Sequence, residues 1–142
     1  CKFFPDKIGN QITIQLLLDM KSGLGDYLRH PQFAELQKRE FSLTELIDLI
    51  KTEPLLFEPG THREYSNSGY AVLGAVIEKV TQLSFEKNIE ERIVKPLGLK
   101  KLVYSKSEKS KELNRAFGTE IDFDGNKLSM DDISNSTPAG GI

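Results

Sequence analysis

The sequence predicts a mainly α-helical fold with one short β-hairpin, and three observations support this class. A capping box at Ser42 opens a segment with helical apolar spacing. A second apolar segment with helical spacing runs from Ser68 to Thr81. Apolar and polar residues alternate on either side of an Asp124-Gly125 turn, which is typical of a hairpin.

Composition narrows the classes of function. The 142 residues carry 19 Lys and Arg against 21 Asp and Glu, for a formal charge of −2, and 38% of them are hydrophobic. Because there is no basic excess, nucleic acid and membrane surfaces are excluded as partners. The single cysteine, Cys1, excludes an internal disulfide and a cysteine-cluster metal site. The apolar stretch from Ile12 to Leu18 is far shorter than the roughly 18 residues of a membrane span.

Two helices are predicted in the first half of the chain. The first begins after Thr13, a suitable N-cap, and runs from Ile14 to about Met20. The second follows the Ser42–Glu45 capping box and ends near Lys51, and its apolar positions have the spacing i, i+3, i+4 and i+7. The polar stretch between them leaves room for a short helix near residues 33–38.

Two more helices are predicted in the second half. In the segment from Ser68 to Thr81 apolar residues surround most of the helix, so we expect it to be buried on most sides. Its small residues, Ala71, Gly74 and Ala75, would let another element approach closely. Ser84 caps the next helix, which Pro96 and Gly98 end. Residues 101–113 are predicted to form a polar loop.

The two histidines predict no metal site. His30 and His62 are far apart in the sequence, and neither has a second His or Cys at ligand spacing. Both lie in loop-like sequence, so we expect them at the surface. No metal and no cofactor is predicted for the chain.

The segment whose side chains could take part in catalysis lies between the Pro59-Gly60 turn and the apolar helix. Tyr65 and Asn67 are two residues apart there, so in a non-helical stretch their side chains can point the same way into a cleft. The apolar helix behind them would hold that edge rigid, as a catalytic site requires.

Several stretches, in this order along the chain, resemble landmarks of serine β-lactamases of class C type, penicillin-binding proteins (DD-peptidases) and related esterases. The similarity covers nearly the whole chain. The landmarks are Ile12-Thr13-Ile14, Leu17-Leu18, Ser22-Gly23-Leu24, Pro59-Gly60, Tyr65-Ser66-Asn67-Ser68-Gly69-Tyr70, Leu73-Gly74, Ile93, Pro96-Leu97-Gly98-Leu99 and Pro138-Ala139-Gly140-Gly141. The resemblance implies that residues 1–142 form a single partial domain, the central and mostly helical portion of this α/β fold without most of its sheet.

The resemblance also implies roles for two residues. In such enzymes a Ser-x-x-Lys motif supplies a nucleophilic serine and a lysine that helps to remove its proton. Tyr65 would share the acid/base work, and Asn67 would hydrogen-bond the amide of the substrate. The reaction is acyl transfer through an ester on serine, with a β-lactam, a D-Ala-D-Ala peptide or an ester as substrate. A small-molecule or peptidoglycan-like substrate is expected, and a location in the cell envelope or periplasm, or secretion, is implied.

The chain departs from the family pattern at the nucleophile. Only Ser22 and Ser42 precede Tyr65, and neither begins a Ser-x-x-Lys motif. Ser84-Phe85-Glu86-Lys87 has that pattern, but it follows Tyr65 and lies where a helix needs a cap, so we interpret Ser84 as the cap. Met20-Lys21 stands where members often carry His-Thr, which leaves the local structure of that turn open.

The sequence therefore predicts the middle of a serine hydrolase whose nucleophile and sheet come from outside the chain. Alone, the chain should be inactive. The alternative is a non-catalytic binding or interaction module of the same fold, in which the Tyr65 hydroxyl bonds a loop carbonyl and Asn67 serves a turn or an N-cap. Exposed apolar helix faces would favour a homo-oligomer.

Overall fold

The computed structural model of the protein describes residues 3–102, 104, 119–121, 123–129 and 138–139. This part of the chain is mainly helical and carries a short hairpin, so the predicted fold class is confirmed. Its elements are α1 (Asp6–Gly9), α2 (Ile14–Leu18), a 3-10 turn (Tyr27–Arg29), α3 (Phe33–Leu36), α4 (Leu43–Ile50), α5 (Asn67–Thr81), α6 (Phe85–Ile89), a π-helical turn (Glu90–Val94), β1 (Thr119–Ile121) and β2 (Lys127–Ser129). None of the described helices has the length and apolar character to cross a membrane.

Side-chain caps begin the helices where the sequence predicts them. Thr13 and Ser84 each accept a hydrogen bond from the amide N–H three residues later, at 3.2 and 3.1 Å. In the capping box, Ser42 Oγ accepts from the N–H of Glu45 at 3.1 Å and the Glu45 carboxylate accepts from the N–H of Ser42 at 2.9 Å. These contacts satisfy first-turn donors that have no partner within the helix. Helix α2 ends two residues before its predicted end, and Met20 adopts a left-handed φ of 57°.

Helix α5 is the centre of the packing and contacts α2, α4 and α6. Leu17 of α2, Leu46 of α4 and Val72 of α5 are the largest fully buried apolar side chains of the core. On another side of α5, a Cβ at Gly74 would overlap the ring of Pro138. The close approach predicted at the small residues of this helix is thereby confirmed, and it brings two of the family landmarks into contact.

The prediction that α5 is buried on most sides is wrong for its second half. Its buried residues all lie between Ser68 and Ala75, whereas Val80 is 76% exposed and Ile77 is 38% exposed. Helix length explains the difference. At a rise of about 1.5 Å per residue, the 15 residues of α5 span about 22 Å and the 8 residues of α4 only about 12 Å. The shorter neighbours therefore leave the end of α5 uncovered within the described part of the chain.

The predicted hairpin is present. Strands β1 and β2 pair antiparallel, with Glu120 opposite Leu128, and the turn between them contains Gly125 at a φ of +82°. The left-handed backbone at this glycine is what the Asp124-Gly125 pattern predicts.

The predicted polar loop, residues 101–113, lies outside the described residues except for 101, 102 and 104. Of these, Tyr104 is buried, and its ring packs edge-on against Phe85 with centroids 5.5 Å apart. Burial raises the pKa of Tyr104 above its usual value. The chain beyond the π-helical turn therefore packs against the start of α6 at Tyr104.

Candidate active site

The candidate site forms where residues 20–27, which follow α2, run beside residues 56–68, which lead into α5. Three backbone hydrogen bonds join these two segments, from Leu56 N–H to the Gly23 carbonyl at 2.8 Å, from Gly60 to Lys21 at 2.8 Å and from Glu64 to Met20 at 3.1 Å. Because only backbone atoms take part in these three bonds, the pairing forms with Met20 and Lys21 in place of the His-Thr that the resemblance leads us to expect.

Gly23 lies at the closest point between the two segments. Its φ is +80°, and a Cβ built at this position would overlap the carbonyl oxygen of Phe57. Only glycine combines that backbone conformation with that close approach. The Ser-Gly-Leu landmark is therefore the part of the 20–27 segment that lets the 56–68 segment pass.

Side chains continue the pairing toward the start of α5. Three hydrogen bonds join successive residues: Ser66 Oγ donates to the Gly25 carbonyl at 3.2 Å, Asn67 Nδ2 donates to Asp26 Oδ2 at 2.8 Å, and Tyr27 N–H donates to Ser68 Oγ at 2.9 Å. Ser68 is fully buried, so water does not compete for this last bond. These contacts fix the position of the N-terminus of α5 against the 20–27 segment.

Tyr65, Asn67 and Asp26 form a hydroxyl–amide–carboxylate chain. The Tyr65 hydroxyl donates to Asn67 Oδ1 at 3.1 Å, the Asn67 amide donates to Asp26, and Asp26 Oδ1 accepts from the N–H of Leu28 at 3.1 Å. The structure thus brings together both predicted site residues. Their contacts differ from those of the structural alternative, since the hydroxyl bonds Asn67 rather than a loop carbonyl and the N-cap position belongs to Ser66.

The two predicted site residues differ in accessibility. Tyr65 is 63% exposed. Asn67 is half-buried, and both ends of its amide are hydrogen-bonded. The Tyr65 hydroxyl can therefore reach a substrate or a second catalytic group placed beside it, while Asn67 is held in one orientation. A phenol in such a position can give or take a proton, provided that a nucleophile is brought within hydrogen-bond reach.

Ser84 and Lys87 do not form a nucleophile pair. Ser84 Oγ accepts from the backbone N–H of Lys87, and Lys87 Nζ lies 2.9 Å from Glu90 and 3.2 Å from Glu91. The hydrogen bond with Glu90 is the main reason that the pKa of Lys87 is raised from its usual value. A lysine that removes a proton at neutral pH needs the opposite shift. The interpretation of Ser84 as a helix cap is confirmed.

The surface prediction is right for His62, which is exposed, and wrong for His30, whose side chain is only 7% exposed. His30 Nδ1 accepts from Gln32 N–H at 3.1 Å, and its Nε2 lies 3.0 Å from Thr52 Oγ1. His30 thus contacts Thr52, which follows α4 and is 22 positions away in sequence, and this long-range contact accounts for the burial of the ring. Among the described residues, no three His, Cys, Asp or Glu side chains are grouped closely enough to hold a metal ion.

Asp26 is the site residue that sequence reasoning missed. It lies in a polar stretch that carries many charges, and its partner Asn67 is 41 residues away. The one signal that could have found it is its position directly after the Ser-Gly-Leu landmark and Gly25. Asp26 is also the N-cap of the 3-10 turn, so its local role hides the long-range one.

Comparison with known proteins agrees with the fold. The family model described as Beta-lactamase matches residues 2–142. A putative D-alanyl-D-alanine carboxypeptidase from Salmonella paratyphi B is 38% identical over 64 residues, which are 45% of this chain and 15% of that protein. The D-stereospecific amidohydrolase from a Streptomyces species superimposes with a TM-score of 0.74 at 25% identity, over 94% of this chain and 43% of that one.

A penicillin-binding protein homologue from Pyrococcus abyssi, an octamer, gives a TM-score of 0.73 at 25% identity, over 92% of this chain and 31% of that one. The fold and the landmarks thus define the class of the protein, the serine β-lactamase and penicillin-binding-protein class of hydrolases. The chain belongs to the Beta-lactamase family, and it spans less than half the length of each of these relatives.

Proposed function

We propose that this chain forms one wall of the active site of a serine hydrolase that works by acyl transfer. Tyr65 takes part in acid/base catalysis, and Asn67 binds the amide of the substrate. The observation that carries the proposal is the bonded pair itself: an exposed phenol held 3.1 Å from an oriented amide at the N-terminus of α5, the end of that helix that is buried. The names of two relatives, a putative D-alanyl-D-alanine carboxypeptidase and a D-stereospecific amidohydrolase, support a D-Ala-D-Ala peptide or another amide of D configuration as the substrate.

The nucleophile of the proposed enzyme lies outside these 142 residues. No Ser-x-x-Lys motif precedes Tyr65, and Ser84 is occupied as a helix cap. The chain by itself should therefore form no acyl-enzyme. Covalent labelling of the 142-residue chain by a fluorescent penicillin, read by mass spectrometry and lost on Tyr65→Phe, would contradict this part of the proposal.

A chimera tests the role of Tyr65 directly. The chain replaces the matching segment of the Streptomyces amidohydrolase, which supplies the rest of the fold, and hydrolysis of an amide substrate of D configuration is followed. We expect Tyr65→Phe to lower kcat by roughly 10²–10⁴-fold, the usual contribution of a positioned acid/base group. Tyr70→Phe is the matched control, because Tyr70 lies five positions further along, in the first half of α5, and its hydroxyl lies 3.5 Å from the Leu18 carbonyl rather than beside Asn67.

The second candidate is the non-catalytic module of the same fold. One observation favours it: both ends of the Asn67 amide are already bonded within the chain, as in a purely structural contact. On this hypothesis Tyr65→Phe and Tyr70→Phe change the activity of the chimera equally little. A selective loss with Tyr65→Phe distinguishes the enzyme from the module.

A further inference from the structure

The carboxylate of Asp26 uses both of its oxygens as acceptors. Oδ1 accepts from the backbone N–H of Leu28 at 3.1 Å, and Oδ2 accepts from Asn67 Nδ2 at 2.8 Å. An ionised carboxylate has no proton to donate, whereas a side-chain amide has a donor end and an acceptor end. Only the NH₂ end of Asn67 can therefore face Asp26.

The orientation of the Asn67 amide decides whether the Tyr65 hydroxyl faces a hydrogen-bond acceptor or a donor. With its NH₂ end on Asp26, the amide presents Oδ1 to Tyr65, and the tyrosine hydroxyl donates to it at 3.1 Å. If the amide were turned over, its NH₂ end would face the hydroxyl, and the tyrosine oxygen would have to accept instead. The group at position 26 thus acts on Tyr65 without touching it.

We propose that Asp26 is a positioning residue that sets the polarity of the Asn67 amide and, through it, the direction of the hydrogen bond to Tyr65. This inference rests on the proposed function, since it gives a role to Asp26 in a site built on Tyr65 and Asn67. Any substrate amide that binds Asn67 would then meet an acceptor oxygen on the side facing Tyr65.

Because of the neighbouring contacts, the orientation of the Asn67 amide can be reversed without changing the fold. Ser66 and Ser68 bond the backbone of Gly25 and Tyr27 on either side of the Asn67–Asp26 bond, and neither contact involves the amide. The two segments therefore stay aligned when the polarity of the middle bond is changed. Asp26→Asn is the appropriate variant, because asparagine has the same shape and also caps the turn at Leu28 well.

The test is carried out by NMR on the 142-residue chain. Proton NOEs from the Asn67 side-chain NH₂ to the Tyr65 ring protons beside the hydroxyl report which end of the amide faces the ring. In the natural sequence we expect a weak cross-peak. In Asp26→Asn the amide introduced at position 26 keeps its oxygen on Leu28 and offers NH₂ to Asn67, which turns over, so the cross-peak should grow severalfold. Equal intensity in the two proteins would overturn the proposal.

A side-chain exchange provides the matched control. In Asp26→Asn the turned-over amide keeps the number of bonds but replaces the two bonds to a carboxylate by weaker neutral ones, whereas in the double variant Asp26→Asn/Asn67→Asp a carboxylate at position 67 again accepts from both neighbours. We expect Asp26→Asn to lower the midpoint of urea unfolding and the double variant to restore it. If Asp26 were only the cap of the turn, Asp26→Asn would leave the midpoint unchanged, and the proposal would be wrong. Neither readout involves a substrate, so a failure here is distinct from a failure of the Tyr65→Phe test.

Discussion

Gly23→Ala should break the contact on which the candidate site is built. Gly23 has a φ of +80°, and its missing side chain leaves room for the Phe57 carbonyl of the 56–68 segment. The substitution therefore combines an unfavourable backbone conformation with a steric overlap against another backbone atom, which cannot move aside as a flexible side chain would. Gly98→Ala is the matched control, because Gly98 has a φ of +62° and its Cβ would meet no described atom within 4 Å.

The magnitude follows from these two contributions. A left-handed conformation costs alanine roughly 1–2 kcal/mol. Relief of the overlap moves the two segments apart and breaks the bond from Leu56 N–H to the Gly23 carbonyl, together with at least one neighbouring bond. At about 0.5–1.5 kcal/mol for each bond, and with the backbone cost included, we expect Gly23→Ala to lower the free energy of unfolding by about 2–5 kcal/mol. Gly98→Ala carries the backbone cost alone, about 1–2 kcal/mol.

Urea unfolding of the two variants and the natural sequence, followed by circular dichroism at low protein concentration, measures both losses. The comparison isolates the overlap, since both substitutions replace a left-handed glycine by alanine. Equal losses of stability for Gly23→Ala and Gly98→Ala would refute the reasoning, because they would mean that the 56–68 segment does not press on Gly23.

Three further predictions concern stability and association. Ser68→Ala removes the buried acceptor of Tyr27 N–H and should lower the free energy of unfolding, measured in urea, by about 1–3 kcal/mol. The bond from Arg39 is the main reason that the pKa of Glu45 is lowered to about 2 from 4.5, so the stability it adds is present above pH 4.5 and lost as the pH falls toward 2. The natural sequence should therefore lose more stability than Glu45→Gln over that range, in urea titrations at each pH. We also propose that the chain self-associates through the exposed end of α5, so Val80→Asp should lower its average mass in sedimentation equilibrium.

Each of these predictions has a contrary result. A loss with Ser68→Ala no larger than that of an exposed serine would mean that its hydroxyl does not hold the 20–27 segment. Parallel pH profiles for Glu45→Gln and the natural sequence would remove Glu45 from the acid response. Leu97→Asp is the control for association, because Leu97 is also exposed but lies beyond α6. An equal effect of Leu97→Asp and Val80→Asp would contradict an interface at the end of α5.

Local patterns were the most predictable part of this protein. The caps at Thr13, Ser42 and Ser84 join residues three positions apart, and the hairpin turn depends on one glycine, so their causes lie within a few letters of sequence. The spacing of Tyr65 and Asn67 belongs to the same class, since their hydrogen bond spans two positions. The extent of burial along α5 depended instead on the lengths of its neighbours, and the burial of His30 on a contact 22 positions away.

The helical class, the beginnings of the helices, the hairpin and the order of landmarks that places the chain in its family all follow from local sequence patterns. Tertiary structure alone decided that Gly23 must admit the Phe57 carbonyl, that Gly74 receives Pro138, and that Asp26 faces Asn67. The difference lies in how far apart in the sequence the contacting residues are. A capping hydroxyl finds its donor within the same turn, whereas a carboxylate in a polar stretch could bond any of many donors until folding brings one amide, 41 residues away, to within 2.8 Å of it.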